Sequence, residues 1–223
     1  MRTSPQGVAE IASHEGLVLS PYYDSVGVPT FGCGHTKNAG PPDPLSFPLG
    51  KDQPLERILA VFRADLAKFE DRVTKAVTVP LAQHEFDALV SFDFNCGGIY
   101  KAMLTKRLNQ GDRAAAIAAF DGWHKPPEII GRRNKQKALF ASGTYSGGGM
   151  ATVYPADGNG KVTWSKGRKV NVLELMGGFP VPVIDPPFAM PPDWAPPEKS
   201  TEPPRGGLIG LLTRIFNAVF GGK

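Results

Sequence analysis

Val8, Ile11 and Ala12 recur at helical intervals before Glu15, and Gly16 stands where a helix of that phase would end. Beyond it the pattern changes. Tyr22 and Tyr23 favour strand, Gly27 permits a turn, and Gly32 and Gly34 permit close backbone approach. A helix followed by a small irregular hairpin is expected. Leu55, Ile58, Leu59, Phe62, Leu66, Phe69 and Val73 then mark one face of a long amphipathic helix that Val79-Pro80 terminates. Leu81 to Phe94, Met103 to Leu108 and Ala114 to Phe120 read as further helices, Pro126-Pro127 breaks the chain, and Gly131 to Phe140 reads as a closing helix. The predicted fold class is α+β, mainly helical, with a small β-hairpin lobe beside a helical lobe and a cleft between them.

After Gly143 the character of the chain shifts at Ser146-Gly147-Gly148-Gly149. Thr152 to Tyr154 and Lys161 to Trp164 bracket Asp157-Gly158-Asn159-Gly160, which predicts a hairpin, and Lys166, Arg168 and Lys169 form a short basic cluster beside Trp164. That cluster suits anionic glycan or lipid, or else a solvated loop. Residues 180–204 contain ten prolines, the composition of an extended, semi-rigid spacer. Leu208, Leu211, Leu212, Ile215, Phe216, Val219 and Phe220 then return at helical spacing, interrupted by Arg214 and Asn217. At about 15 residues, roughly 22 Å as a helix, the segment is too short and polar to span a bilayer. It reads as an interfacial helix making membrane surface contact through residues 206–220, the alternative being a helix docked on its own domain or on another chain. The expected organisation is therefore 1–145 as a first domain, 146–179 as a hairpin-containing extension, 180–204 as a linker and 205–223 as an amphipathic helix.

Composition narrows the partners. The net charge of +4 is spread through 223 residues, without the dense basic face that nucleic-acid binding requires. A mild positive balance suits an anionic wall or lipid surface instead. Cys33 and Cys96 are the only cysteines and read as isolated thiols, with one disulfide as the alternative. His84 and His124 have no metal-ligand spacing to either, so no metal and no cofactor are expected. Met1 to Ser13 lack the apolar stretch of a signal peptide, which predicts accumulation in the cytoplasm.

The chemistry concentrates early. Glu15, Asp24 and Thr30 place two carboxylates and a hydroxyl within a short run threaded through glycines and a proline. Glycoside hydrolysis needs such a pair, one carboxyl protonating the leaving oxygen while the other activates water or attacks the sugar. Taken alone, two acids and a threonine on a polar loop are also a common accident.

At these residues the chain resembles the phage-type lysozymes, the endolysins of glycoside hydrolase family 24. Their signature is Glu, then Asp nine positions on, then Thr six further, inside a Thr-x-Gly-x-Gly-His segment, and Glu15, Asp24, Thr30, Gly32, Gly34 and His35 match it. Ala88 to Gly97 is similar to the family's helix behind the cleft. Gly131-Arg132-Arg133 with Ala138-Leu139-Phe140 and Gly143 is similar to its closing helix, although Asn134 and Lys135 stand where the family often carries Glu. The resemblance covers roughly residues 5 to 145 and implies a lysozyme-like fold.

It also implies roles. Glu15 would be the general acid, Asp24 would orient or deprotonate the attacking water, and the Thr30 hydroxyl would help hold that water. Arg132 occupies the position of an arginine paired with the catalytic Glu and is read as a positioning residue, the alternative being a solvated helix face. His35 is read as positioning through a bond from its hairpin to a nearby acid, and His14 as an exposed helix residue. Asn95 is a candidate substrate or Glu15 contact, or else makes a helix-internal hydrogen bond. Trp123 is a candidate wall of the sugar groove, or else a core tryptophan. The implied enzyme is a monomeric endolysin, a muramidase cleaving the β-1,4 bond between N-acetylmuramic acid and N-acetylglucosamine in peptidoglycan. It would wait in the host cytoplasm until a holin opens the membrane, then act in the periplasm and cell wall. The alternatives are a lytic transglycosylase and a non-catalytic wall-binding or virion structural module.

Overall fold

Ser4 starts the first helix, α1 (Pro5–Glu15), by accepting a hydrogen bond from the Gly7 amide, and Pro5 pre-sets the first turn. The helix stops at Gly16, whose φ of 74° is open to glycine and strained for other residues. The computed structural model describes residues 1–177. The proline-rich spacer expected at 180–204 and the amphipathic segment expected at 205–223 lie outside the described residues.

The chain reverses after Gly16 into β1 (Leu17–Tyr23), which pairs antiparallel with β2 (Pro29–Gly32), itself followed by β3 (His35–Thr36). Six helices then build the larger lobe and its edge: α2 (Leu55–Ala76), α3 (Gln83–Cys96), α4 (Met103–Asn109), α5 (Arg113–Ala119), α6 (Ile130–Ser142) and, last in the described chain, α7 (Val172–Gly177). The predicted apolar stripe of α2 is the stripe that is buried, with Ile58, Leu59, Phe62, Leu66 and Val73 facing the core. α3 is buried along most of its length, Phe86 to Phe94, because α2 and α6 cover it from two sides. α6 ends at Gly143 in the left-handed conformation, φ 70°. The architecture is the α+β, lysozyme-like one expected, mainly helical with a small sheet.

Two expectations about residues 146–179 need correction. The segment is no separate extension: β4 (Met150–Tyr154) lies parallel to β1, pairing Val153 with Leu17 and Tyr154 with Val18, and gives one sheet of order β3-β2-β1-β4-β5. Ala151, Val153 and Val172 are at most 2% exposed in the main core. Such side chains gain roughly 1.5–3 kcal/mol each from burial, and β1 offers them the nearest apolar surface.

The predicted hairpin partner is also displaced. Lys161 to Trp164 makes only a single bridge, Val162 with Ala156, while the strand that pairs with β4 is β5 (Arg168–Asn171). The cause is local. Asp157 Oδ1 accepts from the amides of Asn159 and Lys161, both at 2.9 Å, and closes a tight loop too early for a ladder. Trp164 then begins a short 3₁₀ turn and packs edge-on against Tyr154, ring centroids 5.0 Å apart.

As a result β1 is covered on both faces. Leu17 and Leu19 enter the main core, while Val18 and Tyr22 join Tyr154, Ala156 and Val162 in a second, smaller cluster. Replacing Val153 by Ala should cost the whole domain about 2 kcal/mol in a single urea transition, since transfer and cavity terms both act at a fully buried site. An unchanged midpoint would show that β4 is peripheral to the fold.

Candidate active site

Glu15 is the last residue of α1, and its side chain is 3% exposed. Its carboxylate meets the guanidinium of Arg132, 7% exposed, in the first turn of α6. The two groups make an ion pair without the alignment of a hydrogen bond, and the Arg132 nitrogens find no other protein acceptor. The first and last helices of the lysozyme-like region are thus joined by charge.

Arg133, beside it, is 1% exposed and stacks over the Phe92 ring with its carbon 4.6 Å from the centroid. It donates to Gln136 Oε1, to Asn95 Oδ1 at 3.1 Å and to the Trp123 carbonyl at 3.4 Å, while Gln136 reaches Ser91 Oγ at 2.8 Å. Burial pushes the Arg133 guanidinium down to about 10. This network clamps α6 to α3 and sets the height at which Arg132 faces Glu15.

On the other side, Asp24 sits in the turn after β1. Its Oδ1 accepts from the amides of Val26 and Val28 at 2.9 and 2.8 Å, leaving Oδ2 buried without a protein partner. The Val28 carbonyl accepts both the Asp24 amide, at 3.1 Å, and the Thr30 hydroxyl, at 2.9 Å. Asp24 and Thr30 are therefore tied to one backbone atom. With the Thr30 proton committed to Val28, its oxygen remains an acceptor. Tyr22, buried between the elements that carry the two acids, has its phenol pushed up first by burial, then by Cys33, Asp24 and Glu15. Both carboxylates act on this one group.

His35 holds the hairpin down. Its Nδ1 lies 2.9 Å from Asp65 Oδ2 on α2, and its Nε2 lies 2.8 Å from the Pro42 carbonyl. A carboxylate and a carbonyl both require donors, so the ring here is the imidazolium. Burial works to lower its pKa, but the hydrogen bond and charge of Asp65 and the Pro42 carbonyl outweigh it and raise the value above 6.5.

Some sequence expectations meet different surroundings. His14, expected to be exposed, has a side chain only 5% exposed and pairs with Glu10 at 3.3 Å, because its face of α1 is covered by the segment that leads into β4. Asn95 bonds neither Glu15 nor its own helix; it accepts from Arg133. Trp123 packs edge-on to Phe92, centroids 5.1 Å apart, which is the core packing left open as its alternative. Cys33 and Cys96 are free thiols. Sequence reasoning missed Asp65, Glu10 and the Ser91–Gln136–Arg133–Asn95 chain. The first had a usable signal, as an acid beside the apolar stripe of α2, whereas the others depend on segments far apart in sequence.

The sequence pattern of the family described as phage lysozyme matches residues 12–138, more than half of the chain. The chain belongs to the phage lysozyme family. The endolysin of Salmonella phage P22 is 35% identical over 148 residues, which cover 64% of this chain and 99% of that protein. The endolysin of Acyrthosiphon pisum secondary endosymbiont phage 1 is 34% identical over 153 residues, with the same coverage. Among solved structures, the endolysin from Escherichia coli O157:H7 phage FAHEc1 aligns with a TM-score of 0.58 at 31% identity, over 65% of this chain and 96% of its own. The muramidase domain of SpmX from Asticaccaulis excentricus aligns at 0.53 with 30% identity, over 63% of this chain and 98% of its own. This phage lysozyme is thus an endolysin-type glycoside hydrolase, and β4 and β5 lie beyond the residues that carry the family pattern.

The His35–Asp65 pair gives this lysozyme a pH-dependent term. A histidine whose folded pKa is raised contributes stability that is complete below the unfolded value and is lost as pH rises through the folded one. The advantage of wild type over His35→Gln in urea unfolding should therefore be largest at about pH 5 and shrink by about pH 9. An advantage that grew with pH would mean that His35 is held neutral.

Proposed function

We propose that this lysozyme hydrolyses the β-1,4 bond between N-acetylmuramic acid and N-acetylglucosamine in bacterial peptidoglycan, with Glu15 as general acid and Asp24 and Thr30 managing the water. The supporting observation is the division of labour at Asp24. One oxygen is spent on two backbone amides, the other is free, and the Thr30 oxygen, bound through the same carbonyl, offers a second acceptor. A water held by two acceptors has its lone pair directed away from them, toward a sugar carbon.

With bound sugar Glu15 takes up a proton from solvent as its ion pair with Arg132 is broken, and gives it to the glycosidic oxygen as the bond to the anomeric carbon breaks; water attacks that carbon, and Asp24 accepts the water's proton. Arg132 keeps Glu15 aimed while the cleft is empty, and bound sugar excludes water from the pair. Inversion at the anomeric carbon is expected. A structural relative described as a muramidase domain supports this reading.

Glu15→Gln should fold and bind wall yet lose lysis, because the amide has no proton to give. Activity within about tenfold of wild type, a barrier change near 1.4 kcal/mol, would remove Glu15 from the role of acid. Asp24→Asn should be more damaging than Thr30→Ala, with both below wild type in turbidity loss on outer-membrane-stripped cells. Mass analysis of the products should show reducing sugars; anhydro ends would point to a transglycosylase, and binding without solubilisation to a wall-binding module.

The same reading covers the route to the wall: a monomer released when another protein, a holin by family resemblance, opens the membrane, with residues 206–220 touching the lipid surface. Among the described residues no helix is long and apolar enough to cross a membrane. Deleting 180–223 should leave hydrolysis of isolated peptidoglycan within about twofold while weakening binding to anionic vesicles, since an apolar helix face is what binds such a surface. Leu212→Asp with Phe216→Asp should reproduce that loss. If truncation instead abolished activity on isolated wall, the tail would be a working part of the catalytic domain.

A further inference from the structure

Glu10 lies five residues before Glu15 on α1, is 2% exposed, and has no part in the chemistry above. Its carboxylate is nonetheless well supplied with donors. Oε1 accepts from Ser146 Oγ at 2.6 Å, Oε2 accepts from the Gly147 amide at 2.8 Å, and His14 Nε2 lies 3.3 Å from Oε1. Burial opposes ionisation, but the nearby His14 and the bonds from Ser146 and Gly147 outweigh it and hold the carboxyl near 2. Both hydrogen-bond donors belong to the turn that leads into β4, and His14 makes an ion-pair contact without the alignment of a hydrogen bond.

Gly147 fits tightly there. A Cβ on it would come within 2.9 Å of Ser13 Cβ and Oγ and within 3.3 Å of Glu10 Oε2. Only a residue without a side chain brings that amide onto the Glu10 carboxylate. His14, the residue before Glu15, is 5% exposed on its side chain; burial lowers its pKa, Glu10 opposes this, and the charges of Arg132 and Lys135 reach it from α6. It therefore stands between the Glu10 anchor and the Arg132 side of the catalytic pair.

The same segment grips the other side of Glu15. A Cβ on Gly16 would lie 2.8 Å from Tyr154 Cε2, so the β4 tyrosine lies flat against the residue that follows the acid. One residue later, Leu17 and Val18 pair with Val153 and Tyr154. The helix end bearing Glu15 is held at Glu10 from one side and at Gly16 to Val18 from the other, both by residues 146–154. Neither Glu10 nor this segment lies within the residues 12–138 that carry the family pattern.

We propose that Glu10 is a positioning residue for the catalytic centre, through which the turn at Ser146-Gly147 and the added strand β4 set the orientation of Glu15 toward Arg132 and the substrate. The role rests on the reading of Glu15 as the acid. A buried, fully bonded anion resists displacement, because any motion of α1 along its axis would strip donors from it. A misplacement of about 1 Å at the reacting group costs on the order of a hundredfold in rate, so a brace on α1 acts on turnover.

The test uses the full chain on purified sacculi, well below the melting midpoint, with kcat and KM measured for Glu10→Gln, Ser146→Ala, Gly147→Ala and Glu15→Gln. Glu10→Gln removes the charge that strengthens these contacts and leaves one acceptor oxygen for the Gly147 amide and the Ser146 hydroxyl, so kcat should fall at least about tenfold with KM within about twofold. Ser146→Ala should lose about threefold and Gly147→Ala more, as one donor is removed or the turn is pushed from Ser13. A purely structural bond would lower the melting midpoint and leave kcat at this temperature unchanged. Wild-type kcat in folded Glu10→Gln therefore overturns the proposal; should that variant fail to fold, wild-type kcat in both Ser146→Ala and Gly147→Ala overturns it. An active Glu15→Gln enzyme would instead sink the assignment of the acid, a separate outcome.

Discussion

The ion pair between Glu15 and Arg132 joins the end of the first helix to the start of the last helix of the lysozyme-like region, and each side chain is less than a tenth exposed. Charges so placed have given up most of their hydration, and either one left alone would cost about 3–5 kcal/mol. The fold must therefore bring these two helix ends together or suffer an uncompensated charge. Much of the surrounding structure serves that requirement. Arg133, stacked on Phe92 and bonded to Asn95 and Gln136, fixes α6 on α3, and α1 is fixed in turn by Glu10 and by its own abrupt stop at Gly16.

The opposite wall follows a different principle. Asp24 and Thr30 are placed by backbone hydrogen bonds to Val26 and Val28, within a seven-residue stretch that can form almost independently of the rest. What relates this turn to Glu15 is β1, the strand between them, and its burial on two faces makes it a stiff spacer. His35 on Asp65 then ties the far edge of the hairpin to α2. Glu15, placed through helix packing, and the Asp24–Thr30 turn, placed through backbone hydrogen bonds, are thus linked by one strand buried on both faces.

The added strands β4 and β5 change how a lysozyme of this family is built. In place of an appended module, residues 150–171 extend the catalytic sheet beyond β1, and Tyr154, Ala156 and Val162 roof the side of it that Val18 and Tyr22 would otherwise show to water. The Asp157 to Gly160 turn reaches as far as Tyr23, whose amide donates to the Gly160 carbonyl at 2.9 Å, next to Asp24. Charged Arg168 and Lys169 occupy the exposed outer strand, where they discourage pairing with another chain.

Local rules carried much of this chain. Helix phase, caps and turn residues are short-range properties, so α1 with its stop at Gly16, the stripe of α2 and the close at Gly143 were legible in the residues themselves. So was the Glu15, Asp24 and Thr30 spacing, because it lies within sixteen residues joined by one turn. Apart from the hairpin partner of β4, which a local loop displaced, the failures share one cause. Whether His14 is exposed, what Asn95 bonds, and whether β4 joins β1 are decided by partners from 38 to 136 residues away, such as Arg133 for Asn95 and Ser146 for Glu10. No propensity encodes that distance. Ser146 to Gly149 read only as a change in the character of the chain; in the fold the smallness of Gly147 lets a backbone amide reach a buried carboxylate. The sequence by itself determined the elements and the chemistry available to them, while only tertiary packing decided which buried charges would meet, because burial and pairing are properties of the assembled core.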